Sequence, residues 1–148
     1  MSTPRAQAEQ LLNELLSFAE TMLQEHGELF PCAGVVDSTG KSSHLVVKLD
    51  RQGMTADLLR QHLEAGLREQ ASRDDCLLVV LITNVTVTDP TSGQEIDVIH
   101  AAAEHRDGYA ADLYLPYTLA DGALVYGETA AEKRNPVFFP RQSARLPG

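Results

Sequence analysis

The chain has 148 residues, a length that suits one domain built around one hydrophobic core. Its 21 acidic and 12 basic residues give a formal net charge of -9, which disfavours binding to nucleic acid or to anionic lipid. The longest apolar run, Leu77 to Ile82, is far shorter than the ~20 residues of a membrane helix, so we expect no membrane association and a cytoplasmic protein.

Capping residues, turns and apolar periodicity divide the first half of the chain. The predicted elements are, in order, a helix Pro4–His26, strands Leu29–Asp37 and His44–Asp50, and a helix that begins after Thr55 and ends near Ala71. Gly27 is the expected left-handed terminator of the first helix.

The second half of the chain alternates β-rich runs with turn residues. The predicted strands are Cys76–Asp89, one that begins near Glu95, one at Ala110–Tyr117 and one at Ala123–Thr129. The hairpin from about Glu95 to Tyr117 is the most distinct of these elements. We therefore predict a single α+β domain over 1–148, with the element order α-β-β-α-β-β-β-β. The sheet should be a largely antiparallel meander of about six strands with both helices on one face.

The strand after Cys76 carries apolar residues on both of its faces, but one face is apolar only over its first half. Leu78, Val80 and Ile82 form that half face, and it requires a cover. We expect the tail from about residue 131 to be docked or partly disordered, with Phe138 and Phe139 packing over this face. The candidate interface is therefore Leu78, Val80, Ile82, Phe138 and Phe139, and it suggests a protein partner or a homodimer.

The turn of the second hairpin decides which side chains reach the core. A two-residue turn at Asp107 and Gly108 would place His100 and Glu104 on the core side. A three-residue turn that begins at Arg106 would turn both outward. The second arrangement is favoured because it buries apolar groups and leaves no carboxylate in the core.

The three-residue turn groups four polar side chains on one face of the sheet, His100, Glu104, Asp112 and Tyr114. Such a set could transfer protons, because a carboxylate can fix the tautomer of a neighbouring histidine. Cross-strand polar pairs on a solvated face are the more common explanation, so we treat the four as a candidate binding face and assign no catalytic residue. The five histidines lack metal-ligand spacing, and no motif indicates a cofactor.

Four segments resemble recurrent parts of a family of small bacterial α+β proteins that has no assigned activity. They are Leu16-x-Phe18-Ala19-x-x-Met22-Leu23, His26-Gly27-Glu28-Leu29-Phe30-Pro31, Glu104-His105-Arg106-Asp107-Gly108-Tyr109 and Leu115-Pro116-Tyr117. The resemblance implies a bacterial cytosolic protein of similar fold and transfers no catalytic residue. Members often carry an aromatic residue where this chain has Cys32.

Three functional hypotheses follow. The first is a non-enzymatic protein-binding or interaction module, with homodimerisation as one form of it. The second is an immunity-type protein that neutralises a toxin, which fits the small size and acidity. The third is a small enzyme that uses the His100, Glu104 and Tyr114 face. The sequence favours the first.

Overall fold

The computed structural model describes residues 3–45 and 55–139, which form an α+β fold with two helices and a seven-stranded antiparallel sheet. The elements are α1 (Pro4–His26), β1 (Cys32–Asp37), β2 (Ser42–Leu45), α2 (Ala56–Ala71), β3 (Cys76–Thr88), β4 (Glu95–His105), β5 (Ala110–Ala120), β6 (Ala123–Tyr126) and β7 (Ala130–Lys133). The predicted fold class and element order are confirmed. Residues 46–50 of the second predicted strand lie outside the described residues, as does the tail from 140.

The local helix signals are confirmed at both helices. The Thr3 hydroxyl accepts a hydrogen bond from the Ala6 backbone N–H, and Gly27 ends α1 with φ 71°. Thr55 caps α2 in the same way, by accepting from the Leu58 backbone N–H. Short-range chemistry therefore fixes where both helices begin and where α1 ends.

The sheet order is β2-β1-β3-β4-β5-β6, and all the pairs are antiparallel. The chain crosses from β2 to β3 through α2, so the meander covers β3 to β6. The strand β7 was not predicted separately. It pairs with Ala111–Tyr114 at one end of β5, whereas β6 pairs with Tyr117–Ala120 at the other end. The two pairings differ in register by one residue.

The helices pack on opposite faces of the sheet, and the prediction that they share one face is wrong. Leu78, Val80 and Ile82 lie in a cluster with α1 residues such as Leu11. Val79 and Leu81 point to the other side and pack with α2 residues. Because both faces of β3 are apolar over this stretch, each face can bury one helix.

The candidate interface residues lie in the interior, so the folded chain does not present them as a surface. Leu78, Val80 and Ile82 are each 0% exposed beneath α1. Phe138 and Phe139 do dock, but on the other face, in the cluster that contains Val79 and Leu81 from β3. The prediction that they cover Leu78, Val80 and Ile82 is wrong because α1 already occupies that face.

Candidate functional site

The hairpin between β4 and β5 closes with the three-residue turn that the sequence favours. His100 lies opposite Tyr114 and Ile99 lies opposite Leu115 in the ladder. Gly108 has φ 106°, and its backbone N–H donates to the carbonyl of His105 at 2.9 Å. A side chain would be strained at this φ, so glycine suits the position.

The residues of this turn hold the hairpin to both helices. His105 is 4% exposed, and its Nε2 lies 3.0 Å from Oε1 of Gln7 on α1. Arg106 donates through Nε to the carbonyl of Cys76 and through Nη2 to the carbonyl of Ala71, the last residue of α2. The hairpin tip is therefore a structural junction between the two sides of the sheet.

The predicted face brings His100, Asp112 and Tyr114 together. His100 Nε2 lies 2.8 Å from Asp112 Oδ1, and the His100 ring stacks on the Tyr114 ring with centroids 5.0 Å apart and planes inclined by 19°. The side chains of His100 and Asp112 keep 23% and 17% of their surface exposed. This pair lies at the boundary between the covered and the uncovered part of the face.

Glu104 was expected on a solvated face, but it is 0% exposed. Its Oε1 accepts from the backbone N–H groups of Val137, Phe138 and Phe139 at 3.0, 2.7 and 3.1 Å. Its Oε2 accepts from Arg134 Nε at 2.7 Å. The expectation fails because the C-terminal segment crosses this end of the face and closes over the carboxylate.

Arg134 is the member of the group that sequence reasoning missed. It donates through Nε to Glu104 and through Nη1 to Asp112 Oδ1 at 2.9 Å. Burial lowers the pKa of Arg134, but hydrogen bonds and charge interactions with Glu104 and Asp112 outweigh burial and raise it. No local signal at Arg134 identifies these partners, because they lie more than twenty residues away.

The geometry gives Glu104 a structural role. Its carboxylate is fully buried and accepts from four donors of the C-terminal segment, so its oxygens are enclosed by the fold. We call Glu104, Arg134, Val137, Phe138 and Phe139 the tail clasp. It fixes the segment after β7 against the α2 side of the sheet.

The far end of the sheet extends past the helix-covered clusters. On the α2 side this end consists of six mainly apolar side chains, which we call the open face: Val85, Val87, Ile96, Pro116, Thr118 and Val125. None of the six belongs to either helix-covered cluster. Val87 and Val125 are 44% and 55% exposed, whereas Val98, between Val85 and Pro116, is buried. The open face begins beside the His100–Tyr114 stack.

Other kinds of site receive less support from the part of the chain that the structure describes. Within residues 3–45 and 55–139 there is no group of three or more metal-ligating side chains, and no helix is long and apolar enough to cross a membrane. Burial raises the pKa of Cys32 to about 12, so this thiol is a poor nucleophile near neutral pH.

No protein-family model, curated protein or solved structure matches the chain. The resemblance to a bacterial family therefore stays an expectation.

Proposed function

We propose that this chain is a non-enzymatic protein-interaction module that binds its partner through the open face. The observation that carries the proposal is the solvent exposure of Val87 and Val125 on a sheet face that no described helix covers. Two buried free thiols, Cys32 and Cys76, suit the reducing conditions of the cytosol, where we place the module.

The open face has the composition of an interface centre. Its members are aliphatic residues, a proline and a threonine, and none carries a charge. Interface centres are depleted in charged residues relative to the remaining surface. The rest of this chain carries the excess of acidic residues, so the open face differs in character from its surroundings.

Burial of the open face would also be favourable. Val87 and Val125 keep about half of their surface in contact with water. Apolar surface contributes about 25 cal/mol per Å² when it leaves water, and a contiguous apolar patch on a soluble chain is a common sign of a binding site. The strand propensity of valine explains why valines occur in these strands. It does not explain why they lie together with Ile96 and Pro116 on the same face of the sheet.

The experiment is site-specific photo-cross-linking in the source organism. A photoreactive phenylalanine analogue replaces Val125 on the open face or, as a matched control, Phe18, which is 51% exposed on α1. We expect a covalent adduct to a protein from position 125 and none from position 18. Equal adducts from both positions, or none from position 125, would contradict the proposal.

Mass spectrometry of the adduct then identifies the partner. A toxin encoded next to this chain's own gene would make the interaction a neutralising one. In the same cells, Val87→Lys should abolish the adduct from position 125. The lysine ammonium would lose its hydration in the contact without gaining a hydrogen-bond or charged partner, and this desolvation opposes binding.

A further inference from the structure

We infer that the cavity between the end of α2 and the tail clasp binds a small molecule that carries an oxyanion on an apolar body. The observation that carries the inference is that two guanidinium groups and two aromatic rings line the same cavity. This is a second site, and it goes beyond the proposed function. It lies beside Arg106, which contacts the start of β3, whereas the open face lies at the end of that strand.

The cavity has the size and the lining of a small-molecule site. Its volume is about 440 Å³, and such sites span about 300 to 1,000 Å³. Phe138 and Phe139 contribute to the apolar part of its wall, together with Ala71 at the end of α2. Arg68 and Arg106 supply the charged groups. An apolar wall with a few placed polar groups can both hold a ligand and orient it.

The fold holds the Arg106 guanidinium in place. Its central carbon lies 5.1 Å from the centre of the Phe139 ring. Nε donates to the carbonyl of Cys76, and Nη2 donates to the carbonyls of Ala71 and Arg73. These acceptors are uncharged, and Nη1 has no hydrogen-bond acceptor within the described part of the chain. A guanidinium that is already fixed loses little side-chain freedom when it binds an anion.

Arg68 adds a second guanidinium to the cavity wall. It is exposed on α2, and its guanidinium carbon lies 6.0 Å from the centre of the Phe138 ring. On the same helix, Arg60 forms ion pairs with both Asp57 and Glu64. Arg68 forms no ion pair with any residue that the structure describes. Of these two arginines of α2, Arg68 therefore has donors left for a ligand.

The charge at the cavity is opposite to that of the whole chain. The net charge is -9, yet none of the described residues that line the cavity is acidic. The Glu104 carboxylate is enclosed by the backbone N–H groups of residues 137–139. The C-terminal end of α2 carries partial negative charge, which Arg106 offsets by donating to the carbonyl of Ala71. Guanidinium groups bind carboxylates and phosphates through paired N–H···O hydrogen bonds, so the cavity favours an oxyanion.

A ligand in this cavity should also stabilise the tail clasp. Phe138 and Phe139 belong to both the cavity wall and the clasp. When the tail detaches, both rings leave the wall and the site is lost, so the ligand binds only the closed state. By mass action, a ligand at about ten times its dissociation constant lowers the population of the detached tail about tenfold.

The test is an NMR titration of the full chain with four probes. Benzoate and phenyl phosphate carry an oxyanion on an aromatic ring, benzyl alcohol carries the ring alone, and inorganic phosphate is the anion alone. Benzoate should bind with a dissociation constant on the order of 1 mM, because a ligand of so few atoms gains limited binding energy. Benzyl alcohol and inorganic phosphate should each bind about tenfold more weakly, because each lacks one of the two contacts. The stronger of benzoate and phenyl phosphate identifies the preferred oxyanion.

Two variants of α2 locate the site. Arg68→Gln should weaken benzoate binding about fivefold, because it removes one of the two guanidinium charges at an exposed position. Arg60→Gln, the matched control on the same helix, should bind within about twofold of the wild type. At about 10 mM benzoate, amide exchange of residues 137–139 should slow about tenfold in the wild type and about threefold in Arg68→Gln.

Each outcome decides the inference. It is overturned if neither benzoate nor phenyl phosphate binds at about 10 mM, or if benzyl alcohol binds as tightly as benzoate. Equal binding by the wild type and Arg68→Gln overturns it as well, as do amide shifts that avoid Ala71, Ser72 and residues 137–139. None of these results bears on the cross-linking from position 125, so this inference and the proposed function can fail separately.

Discussion

Replacing Glu104 with glutamine tests the tail clasp with a change of one functional group. The amide oxygen can still accept from the three backbone N–H groups of residues 137–139. The amide NH₂ would then face Arg134 Nε, which donates to Oε2 at 2.7 Å in the native chain. A donor would meet a donor, and the guanidinium would lose one of its two carboxylate partners.

The expected loss is large because both partners are buried. Glu104 is 0% exposed and the Arg134 side chain is 18% exposed, so solvent cannot replace the lost interaction without local opening. Breaking a buried ion pair from one side costs about 3 to 5 kcal/mol. Alternatively, the tail can detach. The chain then loses the burial of Phe138 and Phe139, which stabilises the fold by about 1.5 to 3 kcal/mol for each ring. We therefore expect the free energy of unfolding to fall by about 3 kcal/mol.

The assay is urea unfolding together with amide hydrogen exchange. For a chain of this length, a loss of about 3 kcal/mol corresponds to a decrease of roughly 6 to 12 °C in melting temperature. The backbone N–H groups of residues 137–139 should lose their protection first, since they donate directly to the altered group. Glu95→Gln, at the exposed end of the same strand, is the matched control and should stay within about 0.5 kcal/mol of the wild type. Equal stability and equal tail protection in the two variants would refute the assignment of Glu104 as the anchor of the tail.

Three further predictions concern the core, the turn and a buried histidine. Phe138→Ala should lower the unfolding free energy by about 3 to 5 kcal/mol in urea titrations, whereas Phe18→Ala, at 51% exposure, should change it by less than about 1 kcal/mol. Gly108→Ala should cost about 1 to 3 kcal/mol in thermal unfolding from backbone strain alone, because φ is 106° and nothing lies within 4 Å of the added carbon. Burial lowers the pKa of His105 below 6.5, so the unfolded chain binds its proton first as pH falls. The stability due to neutral His105 is therefore complete above pH 6.5 and is lost as pH drops toward the folded-state pKa. His105→Gln should therefore make the urea midpoint less dependent on pH below pH 6.5.

Each of these predictions has an outcome that contradicts it. Equal losses for the two phenylalanine variants would mean that the tail does not contribute to the core. A fully stable Gly108→Ala chain would mean that the turn relaxes to another conformation. A pH profile unchanged by His105→Gln would mean that other groups control the pH dependence of stability below pH 6.5.

The sequence by itself determined both helices and the order of β1 to β6, whereas β7 was not predicted separately. Thr3, Gly27 and Thr55 fix helix ends by contacts within a few residues, so they could be recognised without the fold. The register of the β4–β5 hairpin was also predictable, because only the three-residue turn placed Ile99 and Leu115 together on the core side. These features depend on local geometry and on the alternation of one strand pair.

The tertiary structure alone decided which element covers which face. Periodicity indicates that Leu78 and Val79 are buried, but it does not identify the helix that buries each of them. The same limit applies to Glu104, which alternation placed among polar residues. It is buried because the chain returns after β7 and brings Arg134 and three backbone N–H groups onto it. Contacts between residues thirty positions apart depend on the path of the whole chain, and only the fold supplies that path.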